Sequence, residues 1–228
     1  MASLIPSSSG NARIPAAVAA AGMLVLDLAS CTLSNPAGLF SAGTSSLGTT
    51  SLVKLNTGIQ AEGDAGRDGV LFSKVLASGF DFSKAAGVLC RVSASAFGGP
   101  GSGAIGRLRL GVVTTQDIAT AQGALAGLEA QSAGSRYMSS IVLGSNGTVQ
   151  TTSLGAVSSF YVWIPFNASG AFGAISTADG PSGDSSWSAM LASTPADLIL
   201  GVQFGNNTAH VTSPAWENLV VEYQVVYL

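Results

Sequence analysis

The chain has 228 residues, with nine Lys and Arg against twelve Asp and Glu and a formal net charge of −3. Charged residues make up 9% of it and hydrophobic residues 47%, where an average soluble domain carries roughly 25% charged residues. No Lys/Arg run exists and apolar residues are spread throughout, which excludes a basic nucleic-acid-neutralising arm and a charge-rich disordered chain.

The length suits one β-sandwich with a substantial core. Charge this sparse gives a free monomer little protection against association, so much of the surface is expected to be buried against copies of the same chain. Two cysteines, Cys31 and Cys90, and one histidine, His210, supply neither a disulfide framework nor zinc-ligand spacing.

In chain order, residues 1–15 are Ser-rich and polar and read as an N-terminal arm, with a single domain over 16–228. The apolar stretch 14–30 ends in Leu28-Ala29-Ser30-Cys31, which fits a lipoprotein cleavage motif. Arg13 is the only basic residue before it, Pro15 interrupts its start and Asp27 sits within it, so a strand over 23–33 is favoured over a targeting segment. Strands are expected over 22–33, 51–59, 87–97, 105–114, 137–143, 158–166, 196–204 and 217–228, separated by Gly-, Ser-, Pro- and Asn-rich turns. In Arg107-Leu108-Arg109-Leu110 charge and leucine alternate at every step, the period of a half-buried strand.

Two short helices are expected. Residues 70–78 have apolar spacing near three to four and end at Gly79, as at a C-cap; residues 116–130 are rich in Ala and Leu. In the closing strand Leu219, Val221, Tyr223, Val225 and Tyr227 share one face, while Val220, Glu222, Gln224, Val226 and Leu228 share the other. A chain end this apolar is expected to lie inside a sheet, with no regulatory tail beyond it. No internal repeat or dividing linker is present. These signals give an all-β class, a sandwich or barrel of eight strands with one or two short helices.

The order of segments from Gly69 onward resembles the shell domain of tombusvirus-like coat proteins of small icosahedral plant RNA viruses. Those shells carry a helix of the form Leu-Phe-Ser-x-x-x-x-Leu-Ala-Ser; here the chain reads Leu71-Phe72-Ser73-Lys74-Val75-Leu76-Ala77-Ser78, then Gly79-Phe80-Asp81-Phe82 and the strand from Gly87 to Val92. Where the family places Gly-Arg-Val-x-Leu, the segment here is Gly106-Arg107-Leu108-Arg109-Leu110, followed by Asp117. Its paired last strands resemble the segments that start at Asp197 and Glu217. The resemblance implies an eight-stranded viral jelly roll and a structural capsid protein, not an enzyme. Many copies would self-assemble into an icosahedral shell enclosing the genome, located in the virion and, during assembly, in the host cytoplasm. Family members carry a basic RNA-binding arm and often a projecting domain; this sequence has neither.

Candidate sites are few. Glu62, Asp64 and Asp68 place hard oxygen ligands in a glycine-rich loop, and with Asp117 they form a candidate calcium site of the kind related shells hold between subunits. Arg67 among them and a spacing unlike a 12-residue calcium loop favour a solvated turn, and no other cofactor is indicated. Arg107 and Arg109 share a strand face and are candidates for genomic RNA contact or for pairing with acids across a subunit contact. The run from Gly98 to Gly103 lacks the Lys-Ser/Thr ending of a phosphate loop and reads as an inter-strand loop. The sequons at Asn146, Asn167 and Asn206 read as turn residues, and Trp163, Trp187 and Trp216 as core or interface anchors.

With one histidine and no nucleophile elbow, catalysis has little support, and no membrane partner is indicated. The alternatives to a coat protein are a bacteriophage decoration or tail accessory protein and a secreted carbohydrate-binding β-sandwich.

Overall fold

A computed structural model describes residues 22–56, 69–97, 106–130, 136–143, 157–166, 195–206 and 215–228. It describes the backbone alone of 12–13, 105, 131, 148–154, 172–177, 184–185 and 189–191. The strands in chain order are β1 (Ala12–Arg13), β2 (Leu24–Val25), β3 (Thr32–Ser34), β4 (Ser51–Lys54), β5 (Val70–Ala77), β6 (Ala85–Ser93), β7 (Ala96–Phe97), β8 (Ile105–Val113) and β9 (Gly123–Gln131). They continue as β10 (Arg136–Leu143), β11 (Thr148–Leu154), β12 (Ser159–Pro165), β13 (Phe172–Thr177), β14 (Asp184–Ser185), β15 (Ala189–Leu191), β16 (Leu198–Asn206) and β17 (Ala215–Tyr227). Among the described residues the only helical turns are 3-10 turns at Leu28–Ser30, Ala42–Thr44 and Phe82–Lys84.

Two antiparallel sheets face each other. One runs β15-β13-β12-β6-β17-β2, with β4 and β7 pairing the start of β17; the other runs β11-β10-β9-β8-β16-β5-β3. Taking β2, β5, β6, β8, β9, β12, β16 and β17 as the first to eighth strands, the first sheet has the order 1-8-3-6 and the second 2-7-4-5. That connectivity is a jelly roll, two interlocked Greek keys, as the all-β reading anticipates. The β10–β11 hairpin and β3 widen the second sheet, and β13 and β15 widen the first.

Both expected helices are strands. Val70–Ala77 lies hydrogen-bonded between β3 and β16, and Val70, Leu71, Phe72 and Ser73 are all buried. A strand covered on both faces loses its two-residue alternation, and its continuous apolar run mimics a helix. Gly79 does adopt a positive φ, +59°, but it turns the chain between strands, with its amide donating to Asp197 Oδ1 at 2.9 Å. Residues 116–120 form a turn, and β9 follows with Ala126 and Leu128 packed into the core. Sheet pairing on both sides of β9 overrides the helix propensity of its alanines. The segment that resembles the shell-domain helix is therefore β5, a departure from the family pattern.

The core lies between the sheets and joins Leu108, Leu110, Val112, Ala126 and Leu128 from one to Val88, Cys90, Val92, Phe160, Val162 and Ile164 of the other. Edge-to-face rings cross it: Phe40 to Phe72 at 5.3 Å, Phe72 to Phe204 at 5.7 Å and Phe204 to Trp216 at 5.0 Å. In β17 the face of Leu219, Val221, Tyr223 and Val225 is the inward one, with Leu219 and Val221 buried and Tyr223 and Val225 packed against the core. Asn218, at φ +50°, bends this strand where its partners change from β4 and β7 to β6 and β2. Its side-chain amide donates to Ser95 Oγ at 3.0 Å, and Asn is among the few residues that enter this region at modest cost.

Leu26 and Leu28 are buried between β2, an edge of the first sheet, and β3, an edge of the second. The chain thus crosses from one sheet to the other along a single side of the sandwich.

Candidate functional site

The alternation around Arg107 and Arg109 places leucines in the core and both arginines on the outer face of the second sheet. Neither is open to solvent: Arg107 is 6% exposed and Arg109 1%. Strand register explains their partners. Arg107 lies directly across from Glu129 on β9, and its Nε donates to Glu129 Oε2 at 2.7 Å. Arg109 lies between Gln203 on β16 and Gly127 on β9, and Gly127 in turn pairs with Ser139 on β10. Gly127 has no side chain to block the way, so Arg109 reaches across it and its Nε donates to Ser139 Oγ at 2.9 Å; its Nη1 donates to Gln203 Oε1 at 3.5 Å. Burial first, and the adjacent Arg107 second, pull the Arg109 guanidinium down to about 9, opposed by the carboxylate of Glu129.

Both arginines are thus enclosed within the second sheet, and the acid that Arg107 pairs with belongs to the same sheet. The partners Glu129, Ser139 and Gln203 escape notice in the sequence because reading 116–130 as a helix hides the register of Arg107 against Glu129.

Asp117 sits in the turn after β8. Its Oδ1 accepts from the Ala119 amide and from the Ser34 hydroxyl, each at 3.1 Å, which ties the turn to β3. Among the described residues no group of three His, Cys, Asp or Glu side chains gathers. Glu62, Asp64 and Asp68 lie outside the described residues, as do Gly98 to Gly103, Asn146, Asn167, Trp187 and His210. Trp163 and Trp216 are fully buried, so neither offers a stacking platform, and Asn206 is buried at the end of β16. Cys90 is enclosed and Cys31 partly so; burial raises both thiols, Cys31 to about 11. No helix among the described residues is long and apolar enough to cross a membrane.

The feature that could engage a partner is apolar. Among the described residues the exposed large hydrophobic side chains are Leu24, Val25, Leu33, Val75, Tyr227 and Leu228. Leu24, Val25 and Leu33 lie on the edge strands β2 and β3, Tyr227 lies on β17 beside β2 and Leu228 follows it, while Val75 lies on β5 across from Ile199, on the outer face of the second sheet. Strand edges normally carry charge as protection against pairing, and here β2 and β3 carry none.

No family model and no curated protein matches this sequence. Among solved structures, an engineered GH43 glycoside hydrolase superposes with a TM-score of 0.50 at 15% identity, over 89% of this chain and 42% of the hydrolase, so the chain spans less than half of that enzyme. The CBM2 module of the evolved Dit of Lactobacillus casei BL23 phage J-1 gives a TM-score of 0.41 at 10% identity, covering 70% of each chain. A carbohydrate esterase from the Shiga toxin-encoding bacteriophage phi24B gives 0.40 at 13% identity, covering 91% of this chain and 88% of that one. The likeness to the hydrolase speaks to β-sandwich architecture alone, and the two weaker ones carry no argument.

Proposed function

We propose that the chain is a structural, non-catalytic component of a virus particle, an accessory module of the bacteriophage decoration or tail kind that attaches through one side of its jelly roll. The observation that carries this reading is that, among the described residues, the exposed large apolar side chains gather on β2, β3, β5 and β17. An attached module needs one adhesive side. A subunit of a closed icosahedral shell must meet neighbours around twofold, threefold and fivefold directions, and so needs apolar contact on several sides. The interior consumes charge as well, since Arg107, Arg109 and Glu129 are buried. That leaves a sparsely charged outer surface suited to lasting contact with protein.

A coat protein that closes its own shell is the second reading. The jelly-roll connectivity and the order of segments resembling the tombusvirus-like shell favour it, and the strand at Val70–Ala77 counts against it. Under either reading the protein works in the virion, after assembly in the host cytoplasm. Expressing the chain alone and imaging it by negative-stain electron microscopy separates the two. Discrete small species support the accessory module, and closed shells overturn it in favour of the coat protein.

A further inference from the structure

We infer that the outer face of the first sheet, where β17, β6 and β12 lie side by side, binds a neutral saccharide. The inference goes beyond the attached-module reading and stands on a different part of the molecule. Register fixes which residues share that face. Glu222, Arg91 and Tyr161 form one row across the three strands, and Gln224, Leu89 and Trp163 form the next. Val221, Cys90 and Val162, which alternate with them along the strands, belong to the core, so these six side chains point away from it. Strand spacing and rise place the two rows within a patch of roughly 10 Å by 7 Å.

Three buried polar atoms in this patch have no hydrogen-bond partner among the described residues: Arg91 Nε, Gln224 Oε1 and Trp163 Nε1. Buried polar atoms are almost always paired, and unpaired ones gathered on an outer face call for a partner from outside the chain. Solvent reaches the patch. The side chains of Arg91 and Glu222 are 43% and 22% exposed, and Tyr161 and Gln224 are partly exposed. Trp163 is fully buried, its ring laid over Gly87, where a Cβ would stand 2.7 Å from its Cη2. The indole therefore offers an N–H donor and no stacking surface, while the part-exposed Tyr161 ring supplies apolar contact.

The chemistry of the patch selects its ligand. Arg91 Nη1 and Glu222 Oε2 stand 3.3 Å apart, so there is no surplus charge to hold a phosphate or a sulfate. What remains is a mixture: donors on Arg91, Trp163 and Tyr161 and acceptors on Glu222 and Gln224, beside the apolar surface of Leu89 and Tyr161. Sugar hydroxyls both donate and accept, and the C–H face of a sugar ring packs on an aromatic one, so a neutral saccharide answers both halves of the mixture. An extended peptide would spend its backbone groups on a sheet edge, and this is a sheet face.

The test applies the full chain to an array of neutral and anionic glycans, then titrates the strongest neutral binder into isotope-labelled protein. The Trp163 indole N–H resonance should shift on titration while that of Trp216, buried in the core, stays in place. R91A/Q224A exchanges two part-exposed side chains and should weaken binding at least ~10-fold with an unchanged circular dichroism spectrum. A119K, at an exposed position in the turn after β8, should bind as the wild type does. An array that retains no glycan, or only anionic ones, overturns the proposal. So does a neutral glycan that binds with the Trp163 resonance unmoved, or that binds R91A/Q224A equally well, because it then sits elsewhere. None of these outcomes touches the attached-module reading, and closed shells in the microscope would overturn that reading while leaving the saccharide site intact.

Discussion

The enclosed charges on the outer face of the second sheet give a demanding prediction. Arg107, Arg109 and Glu129 hold two positive charges against one negative, all nearly inaccessible to water. Glu129→Gln keeps the shape and removes the only negative charge of the three. At 2.7 Å and an effective dielectric of ~20, the Arg107–Glu129 attraction alone is about 6 kcal/mol before desolvation is counted. Breaking a buried pair while keeping one partner costs about 3–5 kcal/mol, because the remaining charge stays buried without compensation. For a chain of this size that corresponds to a fall in Tm of about 6–20 °C. Arg107→Met, which removes the surplus positive charge and leaves Glu129 to offset Arg109, should cost clearly less. Urea and thermal unfolding followed by circular dichroism on both variants and their combination measures the order and the coupling. A loss below about 1 kcal/mol in E129Q, or a larger loss in R107M than in E129Q, would refute the charge reasoning.

Three further outcomes follow from specific contacts. Gly127→Ala puts a Cβ against the Leu108 carbonyl oxygen and across the path from Arg109 to Ser139, so it should destabilise by about 2 kcal/mol or more; an alanine variant unfolding with the wild type would show that Arg109 does not need that gap. Asn218→Gly should be near neutral and Asn218→Val should cost about 1–3 kcal/mol, since a β-branched residue resists a φ of +50°; equal melting curves would remove the bend from the account. Cys31 keeps its proton to about pH 11 when folded, against 9.0 as the ordinary value, so its stabilising contribution is complete below pH 9 and disappears as pH rises through 11. Cys31→Ser should flatten the alkaline loss of stability, and an unchanged slope between pH 9 and 11 would contradict the thiol's burial.

Much of the fold was legible because half-buried strands announce themselves by alternation. The alternation in Arg107-Leu108-Arg109-Leu110 marks the strand and puts its leucines on the core face, although β8 proves buried on both faces, and in the closing strand Leu219 and Val221 share the face that packs on the core. The reading failed in two strands whose covered faces carry helix-like apolar runs. In β5 and β9 neighbouring strands and packing on either side erase the alternation, and local propensity then points to helix. The candidate site suffered from the same error. Two arginines on one strand face suggest a surface for phosphate unless the acid across from them is known, and Glu129 became visible as that acid only once β9 was a strand. The apolar side depends on tertiary structure throughout: β2, β3, β5 and β17 come together from distant parts of the chain, and nothing in local sequence joins Leu24 to Tyr227.

The central claim is that this jelly roll attaches through one side and does not enclose a shell. Sedimentation velocity of the purified full chain tests it most directly. Discrete small species without closed particles are the predicted result; rapidly sedimenting particles of shell mass would contradict it.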